Sequence, residues 1–154
     1  KSSNTQLVKN YGEWFDLDYV ITYFYNVYGP REIQTGKYAT LIALFKEKMK
    51  NNEALTIVSP GTQKRNFTHI SDTVDALMLI GEKGYGDEYG IGNSNGYTIL
   101  EVAQMFDGEI NMLPQRKGNR LVASVVSDKT KDLGWTPKVS LTDYIDEQRV
   151  NNWK

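Results

Sequence analysis

Three arginines stand in loops that follow short extended runs: Arg31 in "YGPRE", Arg65 in "SPGTQKRN" and Arg116 in "PQRKGNR". A guanidinium is a planar fork that can donate two parallel hydrogen bonds to a phosphate. A charge-assisted bond of this kind contributes about 1.5–3 kcal/mol net. Ligand crevices of α/β sheets gather at strand ends, so arginines placed there suit a phosphate-bearing ligand. Any one of them alone reads better as a solvated loop cation, and three in comparable settings shift the balance modestly toward anion binding. Asn26 ends the aromatic run "YFYN", just before the rigid Gly29-Pro30 turn, and suits the lip of such a crevice.

Other chemistries find less support. The single histidine, His69 in "FTHIS", and the lack of cysteine leave no visible metal-ligand cluster and exclude disulfides. His69 reads as a structural residue at a strand end, and no serine sits in a nucleophile-elbow context. "GYGDEYGIG" has glycines, but before and within a strand, so it is not the GxGxxG turn that cradles a dinucleotide. A formal net charge of -1 over 154 residues provides no basic field for nucleic acid or anionic lipid. No apolar run is long enough to span a bilayer, and the expected location is the cytoplasm. With 40% hydrophobic and 24% charged residues, the chain is composed like an ordinary globular domain able to bury a core.

The elements that must position these groups alternate. "KSSNTQLVKNYGEWF" reads as a helix with Leu7, Val8, Tyr11, Trp14 and Phe15 on one stripe. "DYVITYFY" suits a strand covered on both faces, as in a parallel sheet. "KYATLIALFKEKMKNN" returns to helical spacing through Leu41, Leu44, Phe45 and Met49. "ALTIVSPG" and "KRNFTHI" read as extended, and "SDTVDALMLIGEKG" as a helix capped by Ser71 or Asp72. "DEYGIGNSNG" is a strand running into a turn. Thr98 and Glu101 form a capping box ahead of "ILEVAQMF". "GEINMLP" is a strand, and "SDKTKDLGW" is a short helix stopped by Gly134. "SLTDYIDEQRVNNW" is a last helix opened by Ser140 and Asp143. Strand–helix alternation makes the class α/β.

The order of these motifs resembles the C-terminal half of the extended short-chain dehydrogenase/reductase family, specifically its NAD-dependent nucleotide-sugar epimerases and dehydratases. "FYNVYGPRE" is similar to the family's "RYFNVYGPRQ", and "IVSPGTQKRNFTHISDTVDAL" to its "IxGDGxQxRDFxxVxDVxxA". "EYGIGNSNGYTILEVAQMF", "PQRKGN" and "SDKTKDLGWTPKVSLTDYI" resemble three further segments in the right order. The resemblance implies the C-terminal part of a Rossmann-type fold plus a small α/β substrate-binding domain. Residues 1–35 would be the remnant of the NAD-binding domain, and 36–154 mainly the nucleotide-sugar domain, with some segments packing back on the Rossmann sheet.

It also implies roles. "KSSNTQLVKNY" matches the family's Tyr-x-x-x-Lys helix from the lysine onward. Lys1 would then be the catalytic lysine, holding the nicotinamide ribose and lowering the pKa of a tyrosine four residues upstream. Tyr25 matches a residue near the nicotinamide, and Asn26 a contact to the substrate phosphates. Thr40 and Leu41 match nucleotide contacts, and Thr56, Ile57 and Val58 the strand lining a uracil pocket. Arg65 and Arg116 match diphosphate-binding arginines, and Asn119 a ribose contact. The implied reaction is a UDP-sugar 4-epimerase type, with NAD oxidising C4 transiently. A homodimer would form through the first helix, and the chain by itself would be inactive. A dehydratase, decarboxylase or reductase of the family, a non-catalytic nucleotide-sugar-binding module, and a scaffold that has lost catalysis are the alternatives. The departures are Tyr23 for arginine, "SPG" for "GDG", and Asn66 and Asn119 for aspartates.

Overall fold

A computed structural model of the chain describes residues 2–115 and 125–153. Its elements run α1 (Ser2–Phe15), β1 (Val20–Phe24), β2 (Val27–Tyr28), α2 (Leu41–Lys50), β3 (Leu55–Val58), β4 (Lys64–Asn66), β5 (Thr68–His69), α3 (Ile70–Lys83), β6 (Gly86–Ile91), β7 (Gly96–Thr98), α4 (Ile99–Phe106), β8 (Ile110–Leu113), α5 (Asp128–Asp132) and α6 (Leu141–Val150). Among these residues β1 pairs with β6, β2 with β5 and β3 with β8, all parallel, while β4 pairs with β7 antiparallel. Helices lie between the parallel partners along the chain, which is the α/β arrangement expected from alternation.

The main core is built where α2, α4 and α6 meet β3. Leu55 and Ile57 of β3 point into it beside Ile42, Phe45, Val102, Phe106 and Ile145, all nearly inaccessible. Phe45 meets Phe106 edge to face at 5.5 Å, and Trp153 stacks on the other side of Phe106 at 5.2 Å. Such ring geometries follow the quadrupole preference of aromatic pairs. A second cluster joins Ala76 and Ile80 of α3 to Tyr89 and Ile91 of β6 and to Trp135.

Four local expectations are corrected. The inward stripe of α2 runs through Ile42, Ala43 and Phe45, whereas Leu44 is exposed. The cap of α3 is His69, whose side chain accepts the Ser71 N–H, rather than Ser71 or Asp72. Asp72 is buried and faces the distant 138–139 backbone instead. β1 is not covered on both faces: Val20, Tyr23 and Phe24 remain exposed, and among the described residues only β6 pairs along its edges. The short strands β2 and β7 fall where loop and turn were expected. Each is two or three residues long and exists only through its partner.

α1 lies against the β1–β6 pair. Lys9 reaches Asp87 of β6 at 2.6 Å, and the Tyr23 hydroxyl donates to the same carboxylate at 2.8 Å. Burial pushes the Asp87 carboxyl up, but these bonds outweigh it and hold it below the usual range. Leu7, Tyr11, Trp14 and Phe15 stay exposed on the helix.

Candidate functional site

Extended segments and the first turns of two helices, α2 and α4, converge on one cleft of about 270 Å³. Thr56, Ile57 and Val58 of β3 form one wall, with Leu41 at the first turn of α2 beside them. Gln63, Arg65 and Phe67 form another, and Asn26 and Ile99 close it. Strand geometry explains the second wall: residues two apart share a face. Gln63, Arg65 and Phe67 therefore look the same way, while Lys64 and Asn66 take the opposite face, Lys64 exposed and Asn66 buried.

Asn26 sits at the bend after β1 in a left-handed conformation (φ +39°), one that asparagine tolerates better than most residues. Its Nδ2 donates to the Asn66 carbonyl at 2.9 Å, and its own carbonyl accepts the Thr68 N–H. These bonds bring Asn26 to the cleft that Arg65 also lines, across 40 positions of sequence between Asn26 and Asn66. Asn66 explains its own departure from aspartate. Its Nδ2 donates to the carbonyls of Asn93 at 2.9 Å and Ser94 at 3.2 Å, which a carboxylate cannot do. Arg65 is half-buried, pairs across to Tyr97, and donates from Nη1 to the Lys64 carbonyl at 2.7 Å.

Thr40 is the N-cap of α2. Its side chain accepts the Ala43 N–H and donates to Glu32 at 2.6 Å. Glu32 was not singled out as a site residue; no spacing rule joins it to a cap eight positions on. Burial raises the Glu32 carboxyl, opposed by hydrogen bonds from Thr40 and the Gly29 backbone and by Lys46. Lys46 is buried, which lowers its ammonium, and donates to Gln148 at 2.6 Å and the Tyr144 hydroxyl at 3.3 Å. Burial pushes the Tyr144 phenol up to about 12. Gln63, Phe67 and Ile99 also escaped selection, although the two-residue alternation around Arg65 carried a signal for the first two.

Other selected residues lie elsewhere. Tyr25 lines a larger cleft of about 530 Å³ with Tyr23, Asp87, Glu88, Asp128 and Lys129. Three carboxylates against one lysine make that cleft a poor host for a diphosphate, so the smaller one at Arg65 is the candidate anion site. The Tyr25 ring packs on Gly92, where a Cβ would come within 2.8 Å of it. Arg31 is exposed in a left-handed conformation (φ +68°) and does not line the Arg65 cleft. His69 takes a structural place, with Tyr28 and Tyr144 against its ring at 5.2 and 5.4 Å. Lys1, Arg116 and Asn119 lie outside the described residues. Among those described, no group of three or more His, Asp or Glu could hold a metal ion, and no helix is long and apolar enough to cross a membrane.

The chain is similar to known proteins over nearly its whole length. UDP-glucuronic acid decarboxylase 5 of Arabidopsis thaliana is 34% identical over 151 residues, covering 89% of this chain and 42% of that protein. The dTDP-D-glucose 4,6-dehydratase of Bos taurus is 26% identical over 174 residues, covering 100% of this chain and 48% of that protein. Among solved structures, UDP-glucose 4-epimerase from Thermotoga maritima with UDP-glucose superposes with a TM-score of 0.87 at 30% identity, covering 98% of this chain and 52% of that one. The chain thus spans about half the length of the curated relatives it matches. The profile of the NAD dependent epimerase/dehydratase family matches residues 1–92, and with more than half of its 154 residues so matched, the chain belongs to that family.

Proposed function

We propose that this chain supplies the nucleotide-sugar-binding portion of an NAD-dependent epimerase/dehydratase acting on a UDP-sugar, of the 4-epimerase type. The observation that carries the reading is the single cleft that Asn26, Leu41, Thr56, Ile57, Val58 and Arg65 share. Arg65, with Arg116, would hold the diphosphate through charge-assisted bonds. The β3 wall and Leu41 would receive the base, and Asn119 a ribose hydroxyl. Asn26 would orient the phosphates from the end of β1, so that the sugar extends toward Tyr25. Tyr25, a flat half-buried ring seated over Gly92, fits the nicotinamide end of NAD. Lys1 would hold the nicotinamide ribose and favour the ionised form of a partner tyrosine. NAD, when bound, supplies a hydride acceptor for oxidation at the sugar C4. The isolated chain would have no turnover, the full-length protein would work in the cytoplasm, and the exposed face of α1 would pair two copies into a homodimer.

A second reading, decarboxylation, is favoured by the 34% identity to a UDP-glucuronic acid decarboxylase. One experiment separates the two. The full-length protein with NAD is given UDP-glucose, UDP-glucuronic acid and dTDP-glucose, and products are followed by NMR. A C4-epimer is the expected outcome. Release of carbon dioxide selects the second reading, and a 4-keto-6-deoxy product selects a dehydratase. Binding of these nucleotide sugars without conversion leaves only a binding module, and absence of binding removes the reading altogether.

A further inference from the structure

The loop between β2 and α2 is closed by Glu32, whose Oε1 accepts the Thr40 hydroxyl at 2.6 Å. A threonine hydroxyl has one proton and must choose where to send it. With the proton given to Glu32, the oxygen lone pairs are free for the Ala43 N–H, the bond that caps α2. The Thr40 N–H ties the same loop to the Ile33 carbonyl at 3.3 Å. The other carboxylate oxygen of Glu32, Oε2, is buried and meets no hydrogen-bond donor among the described residues. The next residue after the cap, Leu41, lines the cleft.

We propose that Glu32 is a positioning residue: by accepting the Thr40 proton it sets the cap of α2 and so places Leu41 on the wall that receives the nucleotide. The role rests on the nucleotide reading of the cleft given above. The family motif quoted for this stretch ends in glutamine, where this chain has Glu32. A glutamine carbonyl accepts the same bond, so Glu32→Gln is the conservative variant and Glu32→Ala the disruptive one. Thr40→Val removes the cap acceptor itself and marks the full loss of the cap, and Glu32→Met, which fills similar space without the carboxylate, serves if Glu32→Ala does not fold.

The test uses the full-length protein with two readouts, amide hydrogen exchange at Ala43 and calorimetric affinity for UDP. Glu32→Ala and Thr40→Val are each expected to speed Ala43 exchange about threefold to thirtyfold, the range a lost N-cap produces, and to weaken UDP by several-fold. Glu32→Gln should stay within about twofold of wild type in both, and the double variant Glu32→Ala/Thr40→Val should be no worse than Thr40→Val alone, since that substitution already removes both the Glu32 bond and the Ala43 bond. Unchanged Ala43 exchange in Glu32→Ala overturns the proposal. So does a Glu32→Gln protein as impaired as Glu32→Ala, or unaltered UDP affinity in Glu32→Ala when the wild type binds. A wild type without UDP affinity instead overturns the nucleotide reading of the cleft, and this role with it.

Discussion

The Asp72 carboxylate accepts the Val139 backbone N–H through Oδ2 at 3.0 Å, tying the first turn of α3 to a segment 67 positions later. Its Oδ1 accepts the Lys138 N–H at 3.0 Å, and its carbonyl accepts Trp135 Nε1 at 2.9 Å. Asp72 is 2% exposed, so the acceptor end of both bonds is held away from water. This contact joins α3, against β6, to the chain that leads into α6.

Asp72→Ala should therefore destabilise the protein by about 3 kcal/mol, since two backbone N–H groups lose their carboxylate acceptor. Asp72→Asn, which keeps one acceptor oxygen, should lose about half as much. Denaturant midpoints of the two variants check this, and equal stability of Asp72→Ala and wild type would remove the latch.

Arg65→Ala in the full-length protein should weaken UDP-sugar binding by about 1.5–3 kcal/mol, with NAD content unchanged. Arg116→Ala should do the same. Unaltered calorimetric affinity in both would take the diphosphate assignment away from these side chains.

Asn66→Asp restores the family's usual residue, yet it should destabilise this chain by about 1–3 kcal/mol, because the Asn93 and Ser94 carbonyls would then face a carboxylate. Thermal unfolding measures the loss. A variant as stable as wild type would show that the 93–94 turn readjusts at no cost.

His69 caps α3 through Nδ1, an acceptor that exists only while the ring is neutral. Burial lowers its pKa from the ordinary 6.5, with Asp72 and Glu147 pulling weakly the other way. A depressed folded pKa means that the stability it contributes is complete above 6.5 and is lost as pH falls through the folded value. His69→Asn keeps a cap acceptor without titrating there. Its stability should be flatter than wild type between neutral pH and mild acid, and parallel profiles would exclude the cap as the source.

Trp14 and Phe15 are 64% and 60% exposed on α1, a cost in water that a second helix would relieve. Trp14→Glu in the full-length protein should shift a dimer toward monomer in light scattering. A wild type that is monomeric at high concentration would refute pairing through this face.

Local rules were legible from the residues alone. The box between Thr98 and Glu101 is present with both reciprocal bonds, and Ser140 caps α6 through the Asp143 N–H. Both link groups three residues apart, so their geometry follows from helix pitch. The α/β class followed from the alternation of strand and helix patterns. The cleft was legible only as a set of separate positions, and Gln63 and Phe67 were passed over although they share a face with Arg65.

Tertiary structure decided everything that depends on partners far along the chain. The cap of α3 went to His69 because β5 pairs with β2 and ends there, with the ring held against Tyr28 and Tyr144. β7 exists because Arg65 meets Tyr97, and Asn26 reaches the cleft because it donates to Asn66. Residue order and local pitch determined which elements form and how several begin. Which face each element covers, and which side chains meet at Arg65, required the chain to close distant contacts, whose geometry no local spacing contains.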